Sequence, residues 1–177
     1  MIKKIVMMAL LLVAAAGCNQ QGQAPQGQAG YPGGAPAFIS PEQMRMLEQT
    51  AMQSPKNAAA WVAYGNALMD SNRFGEAADA YQKALVLDPK NVDVRVDRGT
   101  CLKNSGRPQQ AVEEYRKAIK INPNHLLAHR NLGVTLGYDL KEKKKAIREF
   151  EKYLSLSPNA PDAAELHQMI QDMKSGQ

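Results

Sequence analysis

The chain has 177 residues, with 22 Lys and Arg against 17 Asp and Glu for a net charge of +5, and only two cysteines. Its basic excess has no basic stripe interleaved with aromatics and no nucleic-acid motif, which excludes a nucleic-acid partner. Two cysteines make no disulfide framework. With no Gly-rich phosphate loop, Gly-x-Ser-x-Gly, His-Glu-x-x-His or Cys-x-x-Cys-His, neither an enzyme nor a cofactor is expected.

In chain order, Met1-Ile2-Lys3-Lys4 is a short basic stretch, and residues 5–16 form an uncharged apolar run. Twelve residues are too few to span a bilayer and suit a secretory signal peptide, here 1–17. The run ends Ala15-Ala16-Gly17-Cys18, which resembles a bacterial lipobox, although leucine is usual where Ala15 stands. That resemblance implies cleavage before Cys18 and its acylation, giving a multi-chain membrane anchor. A competing cleavage site, Ala14-Ala15-Ala16, would leave Cys18 a free thiol. Asn19 replaces the aspartate that favours inner-membrane retention in enteric-type lipoproteins, so the resemblance points to the outer membrane, facing the periplasm.

Residues 18–39 are uncharged and dense in Gln, Gly, Ala and Pro, too poor in apolar surface to fold. They read as a tether with an r.m.s. reach of roughly 25 Å and a stretched limit near ~70 Å. Without residues 1–17 the chain keeps 20 basic and 17 acidic residues, net +3.

Ser40-Pro41-Glu42-Gln43 reads as a capping box opening an N-terminal capping helix within 40–56. Beyond it a clock runs. Pro55, Pro89, Pro123 and Pro158 are spaced 34, 34 and 35 residues. Gly65, Gly99 and Gly133 keep the beat, as do Leu68, Leu102 and Leu136, then Ala77, Ala111 and Ala146, and Tyr81, Tyr115 and Phe150. Leu136 is on time and Ala146 is one late, so one residue is inserted within 137–145.

A period near 34 with small, aromatic and proline positions in fixed phase resembles the tetratricopeptide repeat. The resemblance implies an all-α, right-handed superhelical solenoid of helix pairs A and B, with repeats at 58–91, 92–125 and 126–160. Small residues let the two backbones meet and the aromatic fills the gap. Proline fixes the corner before the next helix A. Pro108 can open a helix B, and Asn57, Asn91 and Asn124 stand where A helices start, as caps should. The 161–177 segment places Ala163, Leu166, Ile170 and Met173 on one face and reads as a C-terminal capping helix.

The A helices of such solenoids line a concave groove. The resemblance assigns to it Val62, Asn66 and Met69 from the first repeat, and Val96, Asp97, Thr100 and Lys103 from the second. Arg130, Asn131, Val134, Gly137 and Tyr138 come from the third. Val62, Val96 and Val134 are expected as an apolar floor, with Asn66 and Asn131 bonding a peptide backbone. The carboxylate-clamp pattern of chaperone-binding relatives is absent, since Asp97 would repel a carboxylate.

Residues 141–152 hold six basic and three acidic side chains. Lys141, Lys143, Lys144 and Lys145 oppose the dipole at a helix start and make a candidate anion or headgroup contact, against the plainer reading of a solvated turn. His125 and His129, four apart, are the weak metal candidate, and no metal is expected. Cys101 falls where Ala67 and Thr135 recur and reads as a buried small residue. The function these features favour is non-catalytic: a lipid-anchored envelope adaptor binding a protein or peptide. A periplasmic assembly helper similar to cytochrome c maturation repeat domains is the alternative, and a metal carrier or enzyme the remote third.

Overall fold

The computed structural model describes residues 39–176, all within one compact unit. The signal peptide, Cys18 and nearly all of the tether lie outside the described residues. No described helix is long and apolar enough to cross a membrane.

Described residues form eight α-helices and no strand. They are α1 (Pro41–Gln53), α2 (Ala58–Asp70), α3 (Phe74–Leu87), α4 (Val92–Asn104), α5 (Pro108–Ile121), α6 (Leu126–Val134), α7 (Lys143–Leu156) and α8 (Ala163–Ser175). Each packs on its chain neighbours, the pattern of a one-dimensional stack. Helices α2, α4 and α6 are the A helices, and α3, α5 and α7 the B helices. The capping box at Ser40 forms in both directions.

The beat residues meet as pairs. A Cβ on Gly65 would sit 2.7 Å from Tyr81, one on Gly99 2.5 Å from Tyr115 and one on Gly133 2.6 Å from Phe150. Each aromatic ring therefore packs against backbone that only glycine leaves bare. Tyr81, Tyr115, Phe150, Ala77, Ala111 and Ala146 are fully buried.

Caps follow the expected scheme with one correction. Asn57 and Asn91 accept from the backbone N–H of Ala60 and Val94. The third cap is His125, not Asn124: its Nδ1 accepts from Ala128 N, 3.2 Å away. An imidazole nitrogen at that position does the work of an amide oxygen, and Asn124 sits one residue early.

The inserted residue is a π-bulge. Ser71 N bonds Ala67 O and Ser105 N bonds Cys101 O, four residues back, whereas Leu140 N bonds Thr135 O, five back. The carbonyls of Leu68, Leu102 and Leu136 then accept from Arg73, Arg107 and Glu142, so the extra residue lies within 137–139. A π-helical turn, Thr135–Asp139, absorbs it.

Candidate functional site

A second repeating device escapes any reading based on residue identity. Trp61 Nε1 donates to Pro55 O at 3.1 Å, Arg95 Nη2 to Pro89 O at 2.7 Å, and His129 Nε2 to Pro123 O at 2.9 Å. The fourth residue of each helix A thus ties back to the corner proline's carbonyl. Indole, guanidinium and imidazole share only a planar N–H donor at suitable reach, so identity was no signal.

The same position faces helix B. Arg95 and Arg98 clamp Glu114, which is 3% exposed and also pairs with Lys117. Burial would raise the Glu114 carboxyl, but Lys117, Arg98 and Arg95 outweigh it and hold it below the ordinary range. One repeat on, His129 Nδ1 lies 2.7 Å from Glu149.

Histidine spacing on α6 therefore does not create a metal pair. His129 is buried toward α7, while His125 reaches α4, its Nε2 2.9 Å from Asp93 Oδ1. Among the described residues no group of three His, Cys, Asp or Glu could hold a metal. Cys101 is fully buried, and burial, with Asp97 adding, pushes its thiol up to about 12.

On the A-helix face, Val62, Met69 and Val134 are half-buried and packed against the core. Val96 is the correction: at 2% exposure it is core, not groove floor. Gly137 is also withdrawn from the groove. It is buried, and a Cβ there would meet Met173 of α8 at 2.5 Å and Ala146 at 3.2 Å. Tyr138 next to it is 49% exposed.

The amides are partly engaged. Tyr81 Oη donates to Asn66 Oδ1 at 2.7 Å, so Asn66 helps hold a buried ring and is not solely a groove residue. Thr100 Oγ1 meets Tyr115 Oη at 3.2 Å and accepts from Asn131 Nδ2 at 3.3 Å. In the third repeat Phe150 lacks a hydroxyl and Val134 stands opposite. The polar residue and the tyrosine hydroxyl come and go together.

Charge on this face is uneven. Asp97 is half-buried on α4, and burial, with nearby Asp93 adding and His125 opposing, raises its carboxyl to about 6. Arg130 pairs with Asp162 ahead of α8, while Lys103 is half-buried on α4. At the opposite end of helix A, Lys141, Lys144 and Lys145 are exposed and Lys143 is half-buried. Glu142 pairs with Lys145, giving that turn an internal counter-charge.

Helix pairs in 34-residue register, crossing at glycine and aromatic and turning on proline, define a tetratricopeptide-repeat solenoid, a protein-interaction scaffold. The profile of the cytochrome c-type biogenesis protein H TPR domain matches residues 44–164, and the chain belongs to that family. No curated protein matches it. Among solved structures, a crystal structure of MamA aligns with a TM-score of 0.70 at 23% identity, over 76% of each chain. A second MamA structure gives 0.69 at 22%, over 75% of this chain and 72% of that one. At that identity the likeness is one of fold.

Proposed function

We propose that this protein is a lipid-anchored, non-catalytic adaptor of the bacterial envelope that holds another polypeptide along its A-helix face. The observation carrying this is the composition of that face. Half-buried Val62, Met69 and Val134 lie among amides whose bonds to Tyr81 and Thr100 leave Asn66 Nδ2 and Asn131 Oδ1 to a ligand. An extended chain needs both: apolar contacts for affinity, and a donor and an acceptor for its backbone. The lipobox-like ending at Cys18 supports the anchor, and Asn19 an outer-membrane address facing the periplasm. The family match also favours a second reading, assembly help during cytochrome c maturation.

Photo-crosslinking in intact envelopes tests the groove. Probes replacing Asn66 or Asn131 are expected to capture a partner that probes at Arg116, exposed on α5, or Lys144 do not. Capture from Arg116 or Lys144 alone would refute the groove. Fatty-acid labelling tests the anchor: label is expected on wild type and lost in Cys18→Ser, and unlabelled wild type would favour the competing cleavage site.

A further inference from the structure

Tight corners at 54–57, 88–91 and 122–125 join α1 to α2, α3 to α4 and α5 to α6, so the ends of α1, α3 and α5 and the starts of α2, α4 and α6 share one edge of the stack. Large apolar residues crowd that edge. Val86 is 70% exposed and Met52 54%, with Leu87, Ile121 and Leu126 each more than a third exposed. Of the seven exposed large hydrophobic side chains among the described residues, only Met46 and Tyr138 lie elsewhere. Helix B is otherwise polar outward, yet α1, α3 and α5 each carry near the end a large apolar side chain that stays more than a third exposed. Lys56, Lys90 and Lys120 are exposed beside them, against the acids Asp88 and Asp93, the latter engaged by His125.

We propose that this edge lies on an anionic bilayer surface, its apolar residues entering the headgroup boundary and its lysines pairing with lipid phosphates. The pattern is that of an interfacial contact: apolar side chains ringed by long cations that keep their heads in water. Charge complementarity selects the occupant: the exposed Lys56, Lys90 and Lys120 flank the apolar residues, where an anionic bilayer presents its phosphates. The inference rests on the anchored reading for proximity to a membrane. A tether of about 20 residues reaches far enough for the domain to lie down rather than stand off. The edge is the one opposite the Lys141, Lys143, Lys144 and Lys145 turn, so the two candidate membrane contacts exclude each other on a flat bilayer.

The test uses the mature chain from residue 18 with Cys18→Ser, so that neither the signal peptide nor acyl chains supply the binding. An environment-sensitive fluorophore is placed at Val86→Cys, Ile121→Cys or Tyr138→Cys, and brominated-lipid quenching is read on phosphatidylethanolamine–phosphatidylglycerol vesicles. Labels at 86 and 121 are expected to be quenched and the label at 138 not, with the effect abolished on phosphatidylcholine alone. Lys90→Glu with Lys120→Glu, both exposed and remote from the core, should weaken vesicle binding at least about tenfold. Quenching at 138 instead, at none of the three, or equally on neutral vesicles overturns the proposal. So does a shift at 86 and 121 only when envelope proteins are added, which would make the edge a protein contact. Fatty-acid labelling of the wild-type chain reports separately on the anchor, so the two failures stay distinct.

Discussion

Two side chains carry costs that the rest of the fold absorbs. Asp97 has a folded-state carboxyl at about 6 against an ordinary 3.8. The native state therefore binds the proton more tightly than the unfolded chain. Its contribution to stability is full below about pH 4 and lost as pH rises through about 6. Asp97→Asn should leave stability unchanged at pH 4 and raise it by about 1–3 kcal/mol at pH 7.5. Urea unfolding at the two pH values checks this, and an equal effect at both would mean the carboxylate is not destabilised by its site. Lys141 is the second, with φ 58° where the first two repeats place Asn72 and Gly106. A lysine Cβ there crowds the backbone, so Lys141→Gly should raise the unfolding midpoint by the equivalent of ~1 kcal/mol. A lower midpoint would show that Lys141 makes a stabilising contact.

At the scale of elements, the π-bulge and α8 belong together. Gly137 follows Leu136, a residue on the beat, where the first two repeats carry the half-buried Met69 and Lys103 after Leu68 and Leu102. In the third, the missing side chain at Gly137 leaves room for Met173. Gly137→Leu should expel Met173 and fray α8, seen as lost hydrogen-exchange protection from Ala163 to Ser175 with α2 to α5 unchanged. Protection retained in α8 would mean that Leu166 and Ile170 suffice to dock it. The A-helix ties to proline carbonyls act at the same scale. Each gives the corner proline's carbonyl a hydrogen-bond donor, by whichever planar N–H reaches.

Across the whole molecule, damage should spread according to position in the stack. Gly99→Leu drives a side chain into Tyr115 in the middle repeat, at a cost of at least about 1–3 kcal/mol. Both flanking repeats lose an interface, so exchange protection should fall in α2 and α3 as well as α6 and α7. Leu166→Ala, in the last helix, should loosen α8 alone. Loss confined to α4 and α5 in the Gly99 variant would show that the repeats fold independently.

Repetition explains what the sequence determined by itself. Helix pairing, the glycine–aromatic crossings and the proline corners follow from a 34-residue beat that states the same local geometry several times. The inserted residue is the one break in that beat, and the capping box is legible from its own four residues. The tertiary structure decided what no repeat could announce. Val96 went to the core and Gly137 to α8, because burial depends on what packs across from a residue. His125 became the cap that Asn124 was expected to be: it stands 34 residues after Asn91, on the beat, and its imidazole nitrogen accepts where an asparagine oxygen was looked for. Asn66 and Thr100 proved tied to Tyr81 and Tyr115, and Asn131 to Thr100, through hydrogen bonds between residues 15 to 31 apart. Trp61, Arg95 and His129 proved equivalent because each reaches back to its own corner carbonyl, whatever its chemistry. A period fixes which backbone positions meet; the chemistry of the meeting depends on side chains from other helices, which only the folded stack brings within reach.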